Sequence, residues 1–430
     1  MTPRGRLSVH PLGCDGLLAG EPFVRQRLAD YRAVGGYPSG HDGPPLVEVV
    51  HRAGLRGRGG AAFPLWRKLH AVREAADAAG VAPVVVANGA EGEPLSVKDR
   101  YLQRYRPHLV LEGTLLAMAA VGSEQAFVYV ADAGALESMR AAVAEAAKDD
   151  LVRGEVRCVR AQDTYVAGEE TAAVQAIERG VARPTDKPPR PFQSGIGGVP
   201  TLVSNVETLA AAARHRRRPD AEVTFLCTLS SRSTAPALVE LPVGAPAKEV
   251  LALASREVDE AADVLLGGFF GGMIPLEPDL ELEQETLAAL GASLGCGAVR
   301  LIEAGECPVQ LAADVAAYFR DNNARQCGTC IKTTGGVAAE LARLGEPGAF
   351  LRARPRLTRW AETPPGAGAC ALPDGLRVLL RSLLRHYGDE LNAHEAAGCG
   401  ACQSAAETPR RWAHLRVDLP AFESAGGDVR

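Results

Sequence analysis

Two cysteines three residues apart, Cys327 and Cys330 in RQCGTCIKTTGG (325–336), have the type and spacing that most directly suggest chemistry. A third cysteine three positions on would complete an iron–sulfur pattern, but Thr333 stands there. Of the ten cysteines, Cys14, Cys158, Cys227, Cys296 and Cys307 are scattered, whereas Cys327, Cys330, Cys370, Cys399 and Cys402 gather in the last quarter. Thiolates are the usual ligands of iron–sulfur clusters. The rival reading is zinc, to which the two CxxC pairs, 327/330 and 399/402, would supply four tetrahedral sulfurs, leaving Cys370 a core residue. No thioredoxin pattern surrounds CGTC, which argues against a dithiol redox pair. Cys158 and Cys227 lie in apolar, strand-like runs (EVRCVRA, VTFLCTL) and read as core residues.

A second group of residues points to an anion. GLRGRGGAAFP (54–64) is rich in glycine, carries Arg56 and Arg58, and precedes Lys68. Glycines let the backbone approach a phosphate, whose charge amide N–H groups and a cation then meet. The spacing is not that of a P-loop, and no clear strand precedes it as the dinucleotide fingerprint requires. Taken alone, such a loop is more often a flexible turn than a ligand site. Three further stretches weigh against that: NGAEGEP (88–94), YVAGEETA (165–172) and VSNVETL (203–209) each put polar or glycine residues where a strand or loop gives way to the next element. A lone carboxylate in a first helical turn merely favours the dipole, which covers Glu170 and Glu207 singly but not the recurrence.

The elements that must position these residues follow from the pattern. The chain has 430 residues, enough for two to four domains. From about 46 to 215, short apolar strands (82–94, 126–132, 155–161) alternate with helical stretches (109–122, 135–148, 169–180), which predicts a mostly parallel α/β sheet with ligands beyond the strand ends. KPPRP (187–191) is a rigid connection. Residues 220–300 read as a small α+β unit, with a helix at 248–255 and a glycine-punctuated VLLGGFFGG. After about 305 the pattern is helical, with amphipathic PVQLAADVAAYFRDNN and DGLRVLLRSLLRHYGDEL forming a bundle that carries the cysteines. Residues 1–45 are loop-rich with a helix at 22–33. RHRRRPD (214–220) reads as a solvated face or, alternatively, a docking patch for an acidic ferredoxin, and His386 as a bundle-surface residue. A net charge of −5 argues against nucleic-acid binding. No apolar run is long enough to span a membrane and the N-terminus is not a signal peptide, so a cytoplasmic location without structural disulfides is expected.

Together, GLRGRGGAAFP, NGAEGEPLSVKDR, PHLVLEG, YVAGEETA, KPPRPFQSGIGGVPTLVSNVETL, CGTC and the CAL at 370–372 resemble the NADH-binding, FMN-carrying flavoprotein subunit of respiratory complex I. They also resemble its relatives in NAD-linked hydrogenases and formate dehydrogenases. The resemblance runs from about residue 46 to 391. It implies an N-terminal extension (1–45), an FMN/NADH-binding α/β domain (46–219), an SLBB-like β-grasp domain (220–304) and a helical domain holding one 4Fe–4S cluster (305–395). A cysteine-containing tail (396–430) follows.

Carried over residue by residue, Gly57, Arg58, Gly59, Gly60 and Lys68 match the flavin-phosphate loop. Asn88, Glu91, Tyr165, Gly168, Glu169, Glu170, Asn205 and Thr208 match positions around the flavin, with Glu91 and Glu170 positioning it. Phe63 and Glu93 match positions near the nicotinamide. Cys327, Cys330 and Cys370 match three of four cluster ligands. The implied protein takes hydride from NADH or NADPH and passes single electrons through the cluster, without side-chain acid–base catalysis. The acceptor would be a ferredoxin-like protein, a 2Fe–2S subunit or a membrane-bound reductase.

The departures are Thr333 in the cluster motif, Ala90 for a flavin-contacting Asp, Gly197 for an aromatic, Val199 for a basic residue, and Ser204–Asn205 for an Asn pair. One of Cys399 and Cys402 is the expected fourth cluster ligand. A three-iron cluster, a non-cysteine ligand and the zinc arrangement stand beside that reading. The altered pocket also leaves room for a flavin/iron–sulfur electron-transfer module without nicotinamide chemistry, or a zinc-stabilised scaffold.

Overall fold

The computed structural model of the chain describes residues 6–38, 44–253 and 263–422. It opens with β1 (Ser8–His10) and α1 (Leu28–Ala33). The helix expected over 22–33 is therefore shorter. Asp30 caps its start by accepting from the Arg27 N–H (3.1 Å), and Arg25 is drawn sideways onto Glu145 (2.7 Å).

Strand–helix alternation follows in α2 (Leu46–Arg52), α3 (Leu65–Ala79), β2 (Val84–Gly89), α4 (Lys98–Tyr105), α5 (Pro107–Val121) and β3 (Gln125–Val130). It continues through α6 (Ala133–Lys148), β4 (Glu155–Arg160), α7 (Glu170–Arg179), β5 (Thr201–Asn205) and α8 (Val206–Arg217). The four strands β2 to β5 pair in parallel in the order β4-β3-β2-β5. Alternation along the strands sends Val85, Ala87, Ala126, Val128 and Leu202 into a core shared with α2 to α6 and α8, while Val84, Val86, Phe127, Tyr129 and Val203 face α7. Cys158 is only half-buried, because β4 is the sheet's edge. RHRRRPD is not a solvated face throughout. Arg214 and His215 are buried, Arg214 donates to Asp15 O (3.0 Å) and Glu222 O (2.8 Å), and the Arg217 guanidinium stacks over Tyr31. Burial, with Arg214 and Arg58 nearby, pushes the His215 imidazole down to about 4.

The next elements are β6 (Thr224–Ser230), β7 (Ala237–Pro242), α9 (Ala247–Leu253), β8 (Asp263–Leu266), β9 (Met273–Pro275), α10 (Gln284–Ala289) and β10 (Ala298–Ile302). The last two residues of the helix expected at 248–255 lie outside the described residues. These strands form a mixed sheet in the order β1-β7-β6-β10-β8-β9, so the N-terminal β1 joins it, parallel to β7. Cys227 is buried in this sheet's outer core with Val264 and Leu301. The chain ends in a bundle: α11 (Pro308–Asp321), α12 (Gly328–Ala342), α13 (Ala349–Ala361), α14 (Leu372–His386), α15 (Gly388–Ala397) and α16 (Gly400–Ala406). Its core is continuous with the inner face of the mixed sheet through Leu265, Phe269, Met273 and Ile302. His386 is half-buried, with Nε2 3.2 Å from Leu290 O. No helix among the described residues is long and apolar enough to cross a membrane.

One contact sets how closely two helices of the first domain pack. Gly113 on α5 lies against α8, where a Cβ would fall 2.0 Å from the Leu209 carbonyl oxygen. The partner atom is helical backbone and cannot swing aside. Gly113→Ala should therefore destabilise the fold by about 1–3 kcal/mol or more through overpacking, read as a lowered midpoint in chemical denaturation.

Candidate functional site

Beyond the C-terminal ends of β2 and β5 lies a cleft of about 910 Å³, a volume within the usual range for small-molecule sites. Every candidate cofactor residue from Gly57 to Thr208 named above lines it, and Cys370 lies on its wall. Parallel strands end there with their loops free, which is where open α/β sheets bind ligands.

The glycine loop is closed by hydrogen bonds from Gly57 N to Phe63 O (2.9 Å) and Leu65 N to Leu55 O (3.0 Å). Arg58 N donates to Thr208 Oγ1 (2.8 Å), tying the loop to α8, and its guanidinium reaches Thr224 O (2.8 Å). Gly59 faces Asn205, where a Cβ would sit 3.3 Å from Asn205 Cβ. Lys68, on α3, donates from Nζ to Val203 O (2.8 Å). Burial lowers the pKa of both Lys68 and Arg58, and the buried Arg58 Nε has no hydrogen-bond partner. Two desolvated cations beside a glycine loop fit a phosphate, which would compensate the charge that burial disfavours.

The strand-end loops are cross-linked. Asn88 Nδ2 donates to Gly168 O (2.8 Å) and Asn205 Nδ2 to Asp99 Oδ2 (2.7 Å). Both Glu91 oxygens are engaged by protein groups: Ser96 Oγ (2.6 Å), the N–H groups of Asp99 and Arg100 (3.1 Å each) and Arg100 Nε (3.0 Å). Glu91 thus shapes the loop that borders the cleft. Glu169 caps α7 by accepting from Thr171 N (2.9 Å) and Ala172 N (3.0 Å) and pairs with Lys187, while Glu170 pairs with Arg190 (3.3 Å). Tyr165 stacks on Phe270 at 5.3 Å. Phe63 stands half-exposed at the rim. Of the altered positions, Ala90 and Ser204 line the cleft; Gly197 and Val199 are absent from its lining.

Residues to which the sequence alone gave no role at the cleft complete the site. Lys98 is buried between Asp99 (2.7 Å) and Glu207 (2.9 Å), and Glu207 also accepts from Leu226 N (2.8 Å). Burial alone would push the Lys98 ammonium down, but Asp99, Glu207 and Glu91 outweigh it and hold it well above its ordinary value. The signal was the VKDR run inside a motif already quoted, three charges following a buried strand and loop. Cys296 and the Gly267–Phe270 turn bring the mixed sheet to the cleft wall.

Cys327 caps α12, its Sγ accepting from Cys330 N (3.4 Å), and the Cys330 and Cys370 side chains meet. Thr333 is half-buried one helical turn beyond Cys330. The tail cysteines go elsewhere: Cys402 Sγ lies 3.5 Å from Cys307 Sγ, and Cys399 joins them with His394. Cys307, isolated in the sequence, and His394 were missed; the faint signal was the His-x4-Cys-x2-Cys spacing of HEAAGCGAC.

A glycine-lined anion cleft opening from a parallel sheet, with a cysteine-bearing helical bundle on its wall, defines a nucleotide-binding redox protein. Residues 50–214 match the family described as the Nuo51 FMN-binding domain, and residues 310–394 the NADH-ubiquinone oxidoreductase-F iron-sulfur binding region. The second F subunit of NADH-quinone oxidoreductase in Rhizobium meliloti (strain 1021) is 32% identical over 406 residues, covering 85% of this chain and 94% of that protein. The F subunit of the same enzyme in Rickettsia bellii (strain OSU 85-389) is 28% identical over 376 residues, covering 81% and 89%. A chain of the NAD+-reducing NiFe-hydrogenase, in its H2-reduced state, superposes with a TM-score of 0.74 at 26% identity, covering 88% of this chain and 68% of that one. The chain belongs to the family of NADH-quinone oxidoreductase F subunits. FMN and a 4Fe–4S cluster are the cofactors of its two matched regions, as expected from the motifs.

Glu93 provides a pH-dependent test. Its Oε1 accepts from Leu95 N (3.2 Å) and its Oε2 from Phe269 N (2.9 Å). Burial raises its pKa to about 7, against those two hydrogen bonds and with help from Glu91. Its folded value exceeds its unfolded one, so the folded state holds the extra proton between about pH 4.5 and 7. That proton's stabilisation is full below the window and lost as pH rises through it. Glu93→Gln should therefore gain on the wild type in thermal stability as pH rises from 5 to 7.5, by at most about 3 kcal/mol; a pH-independent difference would contradict this.

Proposed function

We propose that the chain is the electron-input subunit of a larger oxidoreductase, accepting hydride from NADH in the cleft and delivering single electrons through the bundle's cluster to a partner protein. What carries the reading is the convergence of the glycine loop, the strand-end polar residues and Cys370 on one cleft. FMN, when bound, supplies acceptance of electrons as a pair and their return one at a time.

The chain's own residues do the rest by placement. Gly59 and Gly60 present backbone N–H groups to the phosphate while the Gly57 N–H closes the loop on Phe63 O, and Arg58 and Lys68 meet its charge. Asn88, Asn205 and Thr208 hold the two loops at a set separation, and the Glu91 and Glu169 networks keep those loops rigid. Phe63 and Glu93, at the rim and wall, receive the nicotinamide nucleotide. Tyr165 and Phe270 close off water on the bundle side, and Cys327, Cys330 and Cys370 would hold the cluster at that wall, where it would take electrons one at a time. Because the acceptor is a protein, partner subunits complete the electron path, and any association with a membrane is made through them.

Two measurements test this. Lys68→Ala should weaken FMN retention about 10- to 100-fold, the loss of one hydrogen bond to a charged group, read by flavin fluorescence titration of the apoprotein; unchanged retention would remove Lys68 from the phosphate site. The visible spectrum of anaerobically purified protein should bleach on adding NADH in both flavin and iron–sulfur bands, and Cys330→Ser should abolish only the latter. Bands that NADH leaves unmoved would assign the electron supply to a protein donor.

A further inference from the structure

Four donor atoms from three helices converge behind the bundle, outside the cleft. Cys307 Sγ, His394 Nε2, Cys399 Sγ and Cys402 Sγ all lie within 4.8 Å of one another. The Cys307–Cys402 sulfurs are 3.5 Å apart, and His394 Nε2 is 3.2 Å from Cys307 Sγ and 3.4 Å from Cys402 Sγ. We propose that Cys307, His394, Cys399 and Cys402 form a structural Cys3His zinc site, separate from the iron–sulfur cluster.

The distances fit one ion. With zinc–sulfur bonds of ~2.3 Å and zinc–nitrogen bonds of ~2.0–2.1 Å, tetrahedral edges come to about 3.8 Å between sulfurs and about 3.5 Å between sulfur and nitrogen. An iron–sulfur cluster instead holds its thiolates on separate irons and needs them further apart. The surroundings orient the donors. His394 Nδ1 lies 2.6 Å from the Glu390 carbonyl one turn back in α15, so it donates there and leaves the Nε2 lone pair toward the sulfurs. Cys307, at the N-cap of α11, accepts from Gln310 N (3.4 Å), a bond that favours thiolate. Cys399 N donates to Gly345 O (2.8 Å), and Gly345 is pressed so close that a Cβ there would lie 2.8 Å from Cys402 Cβ. Three of the four donors fall outside the iron–sulfur region at 310–394, and the fourth is its last residue.

The site has a structural consequence. It joins α11, α15 and α16, and so anchors the tail that follows. That tail sets Trp412 edge-on to Tyr318 (4.9 Å) and hydrogen-bonds Val417 N to Pro94 O (2.8 Å). Tyr318 itself donates to Gly92 O (2.8 Å), in the loop that lines the cleft. The zinc would brace that loop from behind without touching cofactor or substrate.

The experiment is elemental and sulfide analysis of the full chain purified anaerobically from zinc-replete cells. The wild type should carry one zinc besides cluster iron and sulfide. Cys330→Ser should lose iron and sulfide but keep zinc, and Cys402→Ser should do the reverse. If Cys402→Ser does not fold, cobalt incorporated into the wild type provides the second reading, with intense tetrahedral d–d and sulfur-to-cobalt charge-transfer bands expected. A wild type without zinc, iron lacking sulfide in its place, a Cys307–Cys402 disulfide in the anaerobic protein, or loss of iron and sulfide in Cys402→Ser would each overturn the proposal. None of these outcomes depends on whether NADH reduces the flavin.

Discussion

A buried ammonium holds the floor of the cleft. Lys98, about 1% exposed, sits between Asp99 and Glu207, themselves buried. Asp99 carries the interaction to Asn205 at the end of β5, and Glu207 carries it to Leu226 in the mixed sheet. One cation therefore joins α4, α8 and β6 of the mixed sheet. Buried pairs of this kind add little to stability relative to apolar residues, but losing one partner leaves an uncompensated charge. Their value here is geometric: the strand-end loops bind at a distance from one another that this network sets.

Above that floor, most polar groups are already engaged by protein partners, and the exceptions are informative. Glu91, Glu169 and Asn88 shape their own loops. The Arg58 Nε has no partner, and Arg58 and Lys68 are cations whose burial disfavours charge. An anion brought to the glycine loop would meet both. The cleft's other wall is contributed by the small sheet and the bundle. The Gly267–Phe270 turn donates to Glu93 through Phe269 N, and Tyr165 stacks on Phe270. The cleft thus lies where the parts of the chain meet, with Cys370 on its wall.

Legibility in the sequence tracked how local the cause was. The glycine loop, between α2 and α3, could be read because close backbone approach demands glycine, and NGAEGEP, YVAGEETA and VSNVETL because each sits within one stretch following or ending a strand. The parallel sheet followed from alternation of short apolar strands with helices. The solvated-face reading of RHRRRPD failed because charge along a segment does not reveal which side chains a neighbouring segment will cover: Arg214 and Arg217 are drawn onto Asp15 and Tyr31 from the N-terminal region. The joining of β1 to β7, more than two hundred residues later, was invisible for the same reason.

The cysteines show the division most sharply. By itself the sequence carried the motifs of an FMN-binding domain and of an iron–sulfur region around CGTC, both matched by the family. Those signatures are short-range, and each is a chemical requirement on residue type. Which distant cysteine joins which centre was decided only by tertiary structure. Cys307 and His394 are 87 positions apart and meet because α11 and α15 pack in one bundle. That packing is set by the summed apolar contacts of the helices, which no spacing between two polar residues records.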